Sequence, residues 1–299
     1  MQQLVSVIIP CHNSTLTIQR AITSVLVQTY HNIELVIVDD ASVDFEILSE
    51  IVIKFNDNRI KLFRHEINKN GSAARNTGII NAKGDYIAFL DSDDEWFPEH
   101  LEKSIVQFKK VNSENYIVYC KNLVKTTNND DLIMPAVGIG LSEKVSNYLF
   151  CNNGYMSTPS LFGSAATFKK NLFDETLIRH QDYDLLLRLD AGGFRFSLAD
   201  HIGVIVHWEN NDTVKKGGTP QFSLDFVRKN KGFFTAKSYT CFVLKNVVFP
   251  IFIKKERMKG LKIFLSDCNP FYVSLKNWVF CFDYFFWGRL NWVKLFVGK

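Results

Sequence analysis

The residue pattern predicts an α/β protein with a mostly parallel central sheet flanked by helices, followed by a helical, aromatic and basic C-terminal extension. Three observations point to it. Apolar, β-branched runs recur without the alternation of a half-exposed strand. The segments between them carry apolar residues at helical spacing. Several of the predicted strands also end abruptly in polar or acidic residues.

Val5 to Ile9 is the first such run, stopped by Pro10. Asn13 and Ser14 can cap a helix whose apolar positions are Ile18, Ile22, Val25 and Leu26. Glu34 to Val38 is a second buried strand and runs into Asp39-Asp40. Ile47, Leu48, Ile51, Val52 and Phe55 space as the next helix face, and Ile60 to Phe63 is a short strand. Gly71 opens a helix through Asn81. Tyr86 to Leu90 is a strand leading straight into Asp91-Ser92-Asp93-Asp94. Pro98 suits a first helical turn, with Leu101, Ile105 and Phe108 following at helical spacing. Tyr116 to Cys120 and Gly203 to His207 read as strands, Asp182 to Leu189 as a helix, and Asn210 to Gly218 as a loop.

Composition narrows the function classes. With 46% apolar and 22% charged residues in 299, the chain has an ordinary globular make-up, and a net charge of +4 gives no case for nucleic acid. The charge is unevenly placed. From Cys241 onward ten Lys and Arg face three acids, and fifteen of the 41 aromatic residues fall there. The six cysteines show no CxxC pair and no metal-ligand spacing, which suits buried thiols in a reducing compartment. The N-terminal MQQLVSVIIP lacks the basic region of a secretory signal, and no stretch reaches the roughly 20 apolar residues of a spanning helix. The expected location is cytoplasmic, peripheral on the inner face of the cytoplasmic membrane.

Ligands of open parallel sheets bind at the carboxyl ends of the strands. Three ends here are polar: Pro10-Cys11-His12-Asn13, Asp39-Asp40 and Asp91-Ser92-Asp93. The first strand is followed by neither GxGxxG nor a Walker sequence, which disfavours a dinucleotide dehydrogenase or a P-loop ATPase. Strand-end carboxylates suit instead a hard divalent cation bridging Asp side chains to a diphosphate.

Taken in order, SVIIPCHN, SVLVQTY, ELVIVDDAS, NGSAARNTGI, GDYIAFLDSDD and QDYDLLLRL resemble glycosyltransferase family 2, over about residues 3–210. These are inverting enzymes of GT-A fold that use nucleotide-diphosphate sugars. The resemblance implies a GT-A catalytic domain over 1–220, with a nucleotide-sugar half at about 1–120 and an acceptor half at about 121–220. Residues 221–299 would form an extension serving a membrane surface or oligomerisation. It implies Mn²⁺ or Mg²⁺ at Asp93 and Asp91, with His207 as a further candidate ligand. Asp40 would accept from the uracil N3–H with Asp39 supporting its turn, and Pro10, Asn13, Arg75 and Ser92 would line the nucleotide-sugar site. His12 stands where the family often has Tyr. Asp182 matches the catalytic base, with Gln181 in place of the family's Glu, Arg188 six residues on, and Asp184 as rival. Trp96 is a candidate acceptor-sugar platform or a core residue.

The expected reaction moves a hexose or N-acetylhexosamine from a UDP-sugar to a saccharide hydroxyl. The acceptor would be linked to polyprenyl diphosphate, as in O-antigen or capsule synthesis, and a homodimer is compatible with it. Two alternatives stay open: a non-catalytic UDP-sugar-binding module, which needs no base, and a sugar-1-phosphate nucleotidyltransferase, which would want a GxGTRL-type loop that is absent here.

Overall fold

The computed structural model describes residues 2–111, 113, 115–127, 130–208 and 218–286. Two strands set the centre, β1 (Val5–Cys11) and β2 (Ile33–Asp39), each buried at every position. Burial on both faces explains why their sequences show continuous apolar runs rather than alternation. Between them α1 (Ile18–Leu26) turns Ile18, Ala21, Ile22 and Val25 inward, the i, i+3, i+4, i+7 stripe of a helix on a sheet. The pattern repeats through α2 (Phe45–Lys54), β3 (Ile60–Arg64), α3 (Gly71–Asn81) and β4 (Tyr86–Phe89). β1, β2, β3 and β4 pair in parallel, as the alternating elements predict.

Beyond β4 the chain changes character. Next come β5 (Glu95–Trp96), α4 (His100–Val111), β6 (Tyr116–Lys125), β7 (Leu132–Met134) and α5 (Val145–Cys151). They are followed by β8 (Phe162–Ser164), α6 (Ala165–Lys170), α7 (Gln181–Ala191) and β9 (Arg195–His207). Among the described residues nine strands make one sheet in the order β3-β2-β1-β4-β8-β6-β9-β5, with β7 on β6. β8 is antiparallel to both β4 and β6, whereas β6 and β9 are parallel. β1 lies between β2 and β4, so the first strand is where the order reverses. Ligands of open α/β sheets gather at such a reversal.

Two details show how the sequence locks this arrangement. Gln28 is buried; its Nε2 donates to the carbonyls of Ser24 and Phe97, each at 2.9 Å, while Oε1 accepts from Leu101 N–H at 3.0 Å. One side chain thus ties the end of α1 to the start of α4. Gly78 lets α3 lie close on β1: a Cβ there would stand 2.4 Å from Ile8 Cγ2.

The chain divides into two units, residues 1–143 with 154–212, and 144–153 with 213–299. The expected acceptor half of 121–220 therefore gives up 144–153. The reason is aromatic packing: Phe150 of α5 stacks on Phe234 at 5.4 Å and meets Phe242 edge-on at 4.9 Å. In the second unit α8 (Pro220–Lys229), α9 (Ala236–Val243), α10 (Phe249–Ile253), α11 (Arg257–Asp267) and α12 (Leu275–Phe286) follow one another. A π-helical stretch, Leu244–Val248, joins α9 to α10. Arg228 forks onto both oxygens of Asp267, at 2.9 and 2.7 Å, and the Tyr239 hydroxyl donates to the same carboxylate.

One helical segment, Ala236–Ile253, is long and apolar enough to cross a membrane by length and composition, and 56% of it is buried within the protein. Most of the loop expected at Asn210 to Gly218, and the tail's Trp287, Arg289, Lys294 and Lys299, lie outside the described residues.

Candidate active site

The site lies where loops leave β1, β2 and β4 and where α3 and α7 begin. Several of these loops hold non-glycine residues in the left-handed region: Asn13 (φ 52°), Ala41 (φ 57°), Asn70 (φ 80°) and His180 (φ 63°). Such conformations carry strain that the surroundings must hold, and they cluster at functional loops. Here the holding contacts are visible. Asn13 N–H donates to Ser42 Oγ at 2.8 Å, and Asn13 Oδ1 accepts from Val43 N–H at 3.0 Å, so the turns after β1 and β2 brace each other. Ser14 Oγ and Ser92 Oγ are 2.8 Å apart, linking the β1 turn to the acidic motif after β4. His12 Nδ1 lies 2.8 Å from the Asp40 carbonyl.

Asp39 and Asp40 face inward. Asp39 is fully buried, accepting from Ser42 Oγ and from Ser42 N–H at 3.1 Å, with Arg64 Nε 3.6 Å away. Asp40 is 3% exposed. One of its oxygens accepts from Lys69 N–H at 2.8 Å and lies 2.8 Å from His65 Nδ1, and the other accepts from Asn70 N–H at 2.7 Å. Asp40 thus also braces the loop entering α3. Pro10 is buried within β1, opposite Val38.

α3 and α7 converge although about a hundred residues separate them. Asn70 caps α3, its Oδ1 accepting from Ser72 N–H at 2.8 Å, while its Nδ2 donates to the Glu175 carbonyl at 2.7 Å. Asn76 grips the same approach to α7: Oδ1 accepts from Phe173 N–H and Nδ2 donates to the Phe173 carbonyl, both at 2.9 Å. Arg75 then spans the gap, donating to Asp91 Oδ1 at 2.5 Å and Gln181 Oε1 at 3.0 Å. Gln181 Nε2 in turn donates to the Leu177 carbonyl at 2.7 Å. The residue standing in for Glu is thus a hydrogen-bonding hub.

Asp182 sits in the first turn of α7, its Oδ1 accepting from Tyr183 N–H at 2.9 Å. The residue is half-buried. Burial raises its carboxyl above the ordinary range, nearby Arg75 opposes the rise, and Asp91 adds to it. Asp184 differs: it is 4% exposed and paired with Arg188, both Nε and a terminal nitrogen lying 2.7 Å from one carboxylate oxygen. The rival base is already committed to an i,i+4 ion pair.

The acidic motif is crowded. Asp94 is buried and held well above the ordinary carboxyl range, first by burial and then by the charges of Asp91 and Asp93. These oxygen donors, with their surplus of negative charge, fit a hard divalent cation. His207 does not join them: its Nε2 lies 3.0 Å from Glu95 Oε1, and its N–H donates to Asp94 Oδ1 at 3.0 Å. Among the described residues Asp91, Asp93 and His207 do not converge on one point. The loop beyond it, Glu209 to Lys216, lies outside the described residues.

Trp96 is a core residue. It is 3% exposed and its indole N–H donates to the Pro159 carbonyl at 2.9 Å, so no face is left for a sugar. Sequence reasoning missed Tyr155, whose phenol is pushed up by burial and by the charges of Asp94 and Asp182. Its ring meets Trp208, which is 39% exposed, edge-on at 6.3 Å. Neither residue lies in a motif, so only the fold could reveal them.

Comparison with known proteins agrees with this geometry. The model of the family described as "Glycosyl transferase family 2" matches residues 6–177. The amylovoran biosynthesis glycosyltransferase AmsB of Erwinia amylovora is 30% identical over 278 residues, covering 91% of each chain. A putative colanic acid biosynthesis glycosyl transferase of Escherichia coli K12, WcaA, is 31% identical over 82% of this chain and 88% of its own. A further E. coli protein, the UDP-Glc:alpha-D-GlcNAc-diphosphoundecaprenol beta-1,3-glucosyltransferase WfgD, is 47% identical over 109 residues, 36% of this chain and 42% of its own. Among solved structures, S. aureus TarS 1-349 in complex with UDP-GlcNAc superposes with a TM-score of 0.60 at 17% identity, covering 94% of this chain and 89% of that one. That likeness speaks to the GT-A fold alone.

Proposed function

The chain belongs to glycosyltransferase family 2, and from that membership we propose that it is an inverting enzyme of polysaccharide assembly. It moves a hexose or N-acetylhexosamine from a UDP-sugar to a hydroxyl of a saccharide acceptor carried on polyprenyl diphosphate. The observation carrying this reading is Asp182: a partly accessible carboxyl at the start of α7, raised by burial and set beside the Arg75–Asp91 pair.

Inversion needs one displacement at the anomeric carbon, with a base to take the acceptor's proton. Asp182 is suited to it. Burial makes it a better proton acceptor than a surface aspartate, and the Tyr183 N–H fixes its orientation. Arg75, held on both sides by Asp91 and Gln181, presents positive charge near the departing diphosphate. Asp93 and Asp91 would hold Mn²⁺ or Mg²⁺, which offsets the charge developing on UDP. Tyr155 and Trp208 offer the aromatic surface that Trp96 does not.

The names of AmsB and WfgD support the polysaccharide assignment and, for WfgD, a UDP-sugar donor and a lipid-diphosphate acceptor. A lipid-linked acceptor favours peripheral membrane contact. The second unit exposes Phe271, Leu275, Val279 and Phe282 among Lys254, Lys255, Lys259 and Lys276, a mixture suited to a headgroup layer.

The test is a panel of UDP-sugars offered with Mn²⁺ or Mg²⁺, followed by transfer to the lipid-linked acceptor. Asp182→Asn keeps the shape but cannot take a proton, so transfer falls about 10²–10⁴-fold while UDP-sugar binding persists. The product carries the anomeric configuration opposite to the donor's. Normal transfer by Asp182→Asn, or retained configuration, would overturn the reading.

A further inference from the structure

Three side chains outside the site remain without a role. His100 opens α4, Cys120 lies in β6 and His201 in β9, all within the first unit. Far apart in sequence, they give no ligand spacing to read. The fold joins them because β6 and β9 are neighbours and α4 packs on both.

The donor atoms converge. His100 Nδ1 is 3.6 Å from Cys120 Sγ and 3.4 Å from His201 Nε2, and all three lie within 4.8 Å of one another. An N–H hydrogen bond spans about 2.7–3.2 Å, so the two imidazoles are too far apart for a good one. Around a tetrahedral zinc, with nitrogen at about 2.05 Å and sulfur at about 2.3 Å, the N···N edge is about 3.3 Å and the N···S edge about 3.6 Å. The observed separations match those edges.

A further observation concerns the same spot. A Cβ on Gly203 would stand 2.3 Å from His100 Nδ1, 2.6 Å from Cys120 Sγ and 2.9 Å from His201 Nε2. Glycine thus lets the β9 backbone pass close to all three donors.

We propose that His100, Cys120 and His201 form a zinc site of His₂Cys type, separate from the nucleotide-sugar site, that pins α4 to β6 and β9. Two nitrogens and one sulfur form a borderline-soft donor set that suits Zn²⁺ and rejects Mg²⁺. Binding breaks the Cys120 S–H bond, forms a sulfur–zinc bond and releases one proton to solvent. Water completes the coordination on the side of half-buried His201. β9 ends at His207, whose contacts to Asp94 and Glu95 steady the acidic motif, so the metal would stiffen an element that the active site rests on.

The experiment uses the full chain, stripped of metal by chelator and titrated with Zn²⁺ and, as a spectroscopic probe, Co²⁺. One equivalent of Zn²⁺ binds per chain, raises the thermal unfolding midpoint and resists millimolar Mg²⁺. Co²⁺ gives the near-ultraviolet thiolate charge-transfer band and the intense visible bands of tetrahedral coordination. Cys120→Ser removes the charge-transfer band. His201→Ala, at the more exposed corner and therefore the safer variant for folding, weakens Zn²⁺ at least tenfold. Substoichiometric uptake by the wild-type chain, cobalt bound without a thiolate band, or unchanged affinity in a cooperatively folding His201→Ala would overturn the proposal.

Discussion

Gln181→Glu restores the family's usual acid, yet the structure says it should harm this protein. Gln181 uses both ends of its amide: Oε1 accepts from Arg75 at 3.0 Å and Nε2 donates to the Leu177 carbonyl at 2.7 Å. A glutamate keeps the first contact and strengthens it, since a charged acceptor adds about 1 kcal/mol over a neutral one. It cannot make the second. A carboxylate oxygen would face the Leu177 carbonyl oxygen, and losing that donor in a part-buried setting costs about 1–3 kcal/mol. The net change is a destabilisation on the order of 1 kcal/mol, or about 2–4 °C in midpoint for a domain of this size. The added charge also stands beside Asp182 and pushes its carboxyl further up. A general base works ionised, so the rising acid limb of the pH–rate profile moves to higher pH. Differential scanning calorimetry and a pH profile of transfer read both effects. A Gln181→Glu protein as stable as wild type, with its acid limb unmoved, would show that the Leu177 contact orients nothing.

Two other outcomes follow from charge placement. Asp94 is held above the ordinary carboxyl range, so the folded state penalises its ionised form. Stability is lost as pH rises from the unfolded carboxyl value through the folded one, and Asp94→Asn, which keeps an acceptor for the His207 N–H, should flatten the fall in midpoint as pH rises above the ordinary carboxyl range; an unchanged slope would assign the pH dependence to other groups. In the second unit, replacing exposed Phe271, Leu275 and Phe282 together with Ser should abolish co-sedimentation with anionic vesicles at low salt while leaving transfer to a water-soluble acceptor analogue intact; equal pelleting would exclude this face as the membrane contact.

Much of the fold was legible because buried parallel strands announce themselves. β1 and β2 are apolar without alternation since both their faces are covered. The motif singles out Asp182, and the structure sets it apart from Asp184, whose carboxylate is paired with Arg188. The failures share a cause. Periodicity reports which residues are buried, not which partner buries them. Trp96 follows an acidic motif at the mouth of the site, yet the antiparallel pairing of β5 with β9 turns it inward. The 65–70 loop, invisible in a local pattern, closes onto Asp40 through His65, Lys69 and Asn70. Phe150 belongs with aromatics more than eighty residues away, so its helix left the half to which sequence order assigned it.

The ladders of the sheet are far from equal. β1 and β2 are in register from Val5 to Cys11, and β6 follows β9 from Tyr116 to Lys125 through a bulge. Between these two blocks stands only three-residue β8, which meets β4 at three positions and β6 at the single pair Val118 and Phe162. The sheet is therefore two robust panels sewn along a narrow seam. Changes in strand length or loop content on one panel have few main-chain bonds through which to disturb the other. A lineage can thus redesign the panel carrying β6 and β9 while the panel that carries β1, β2 and β4 stays as it was.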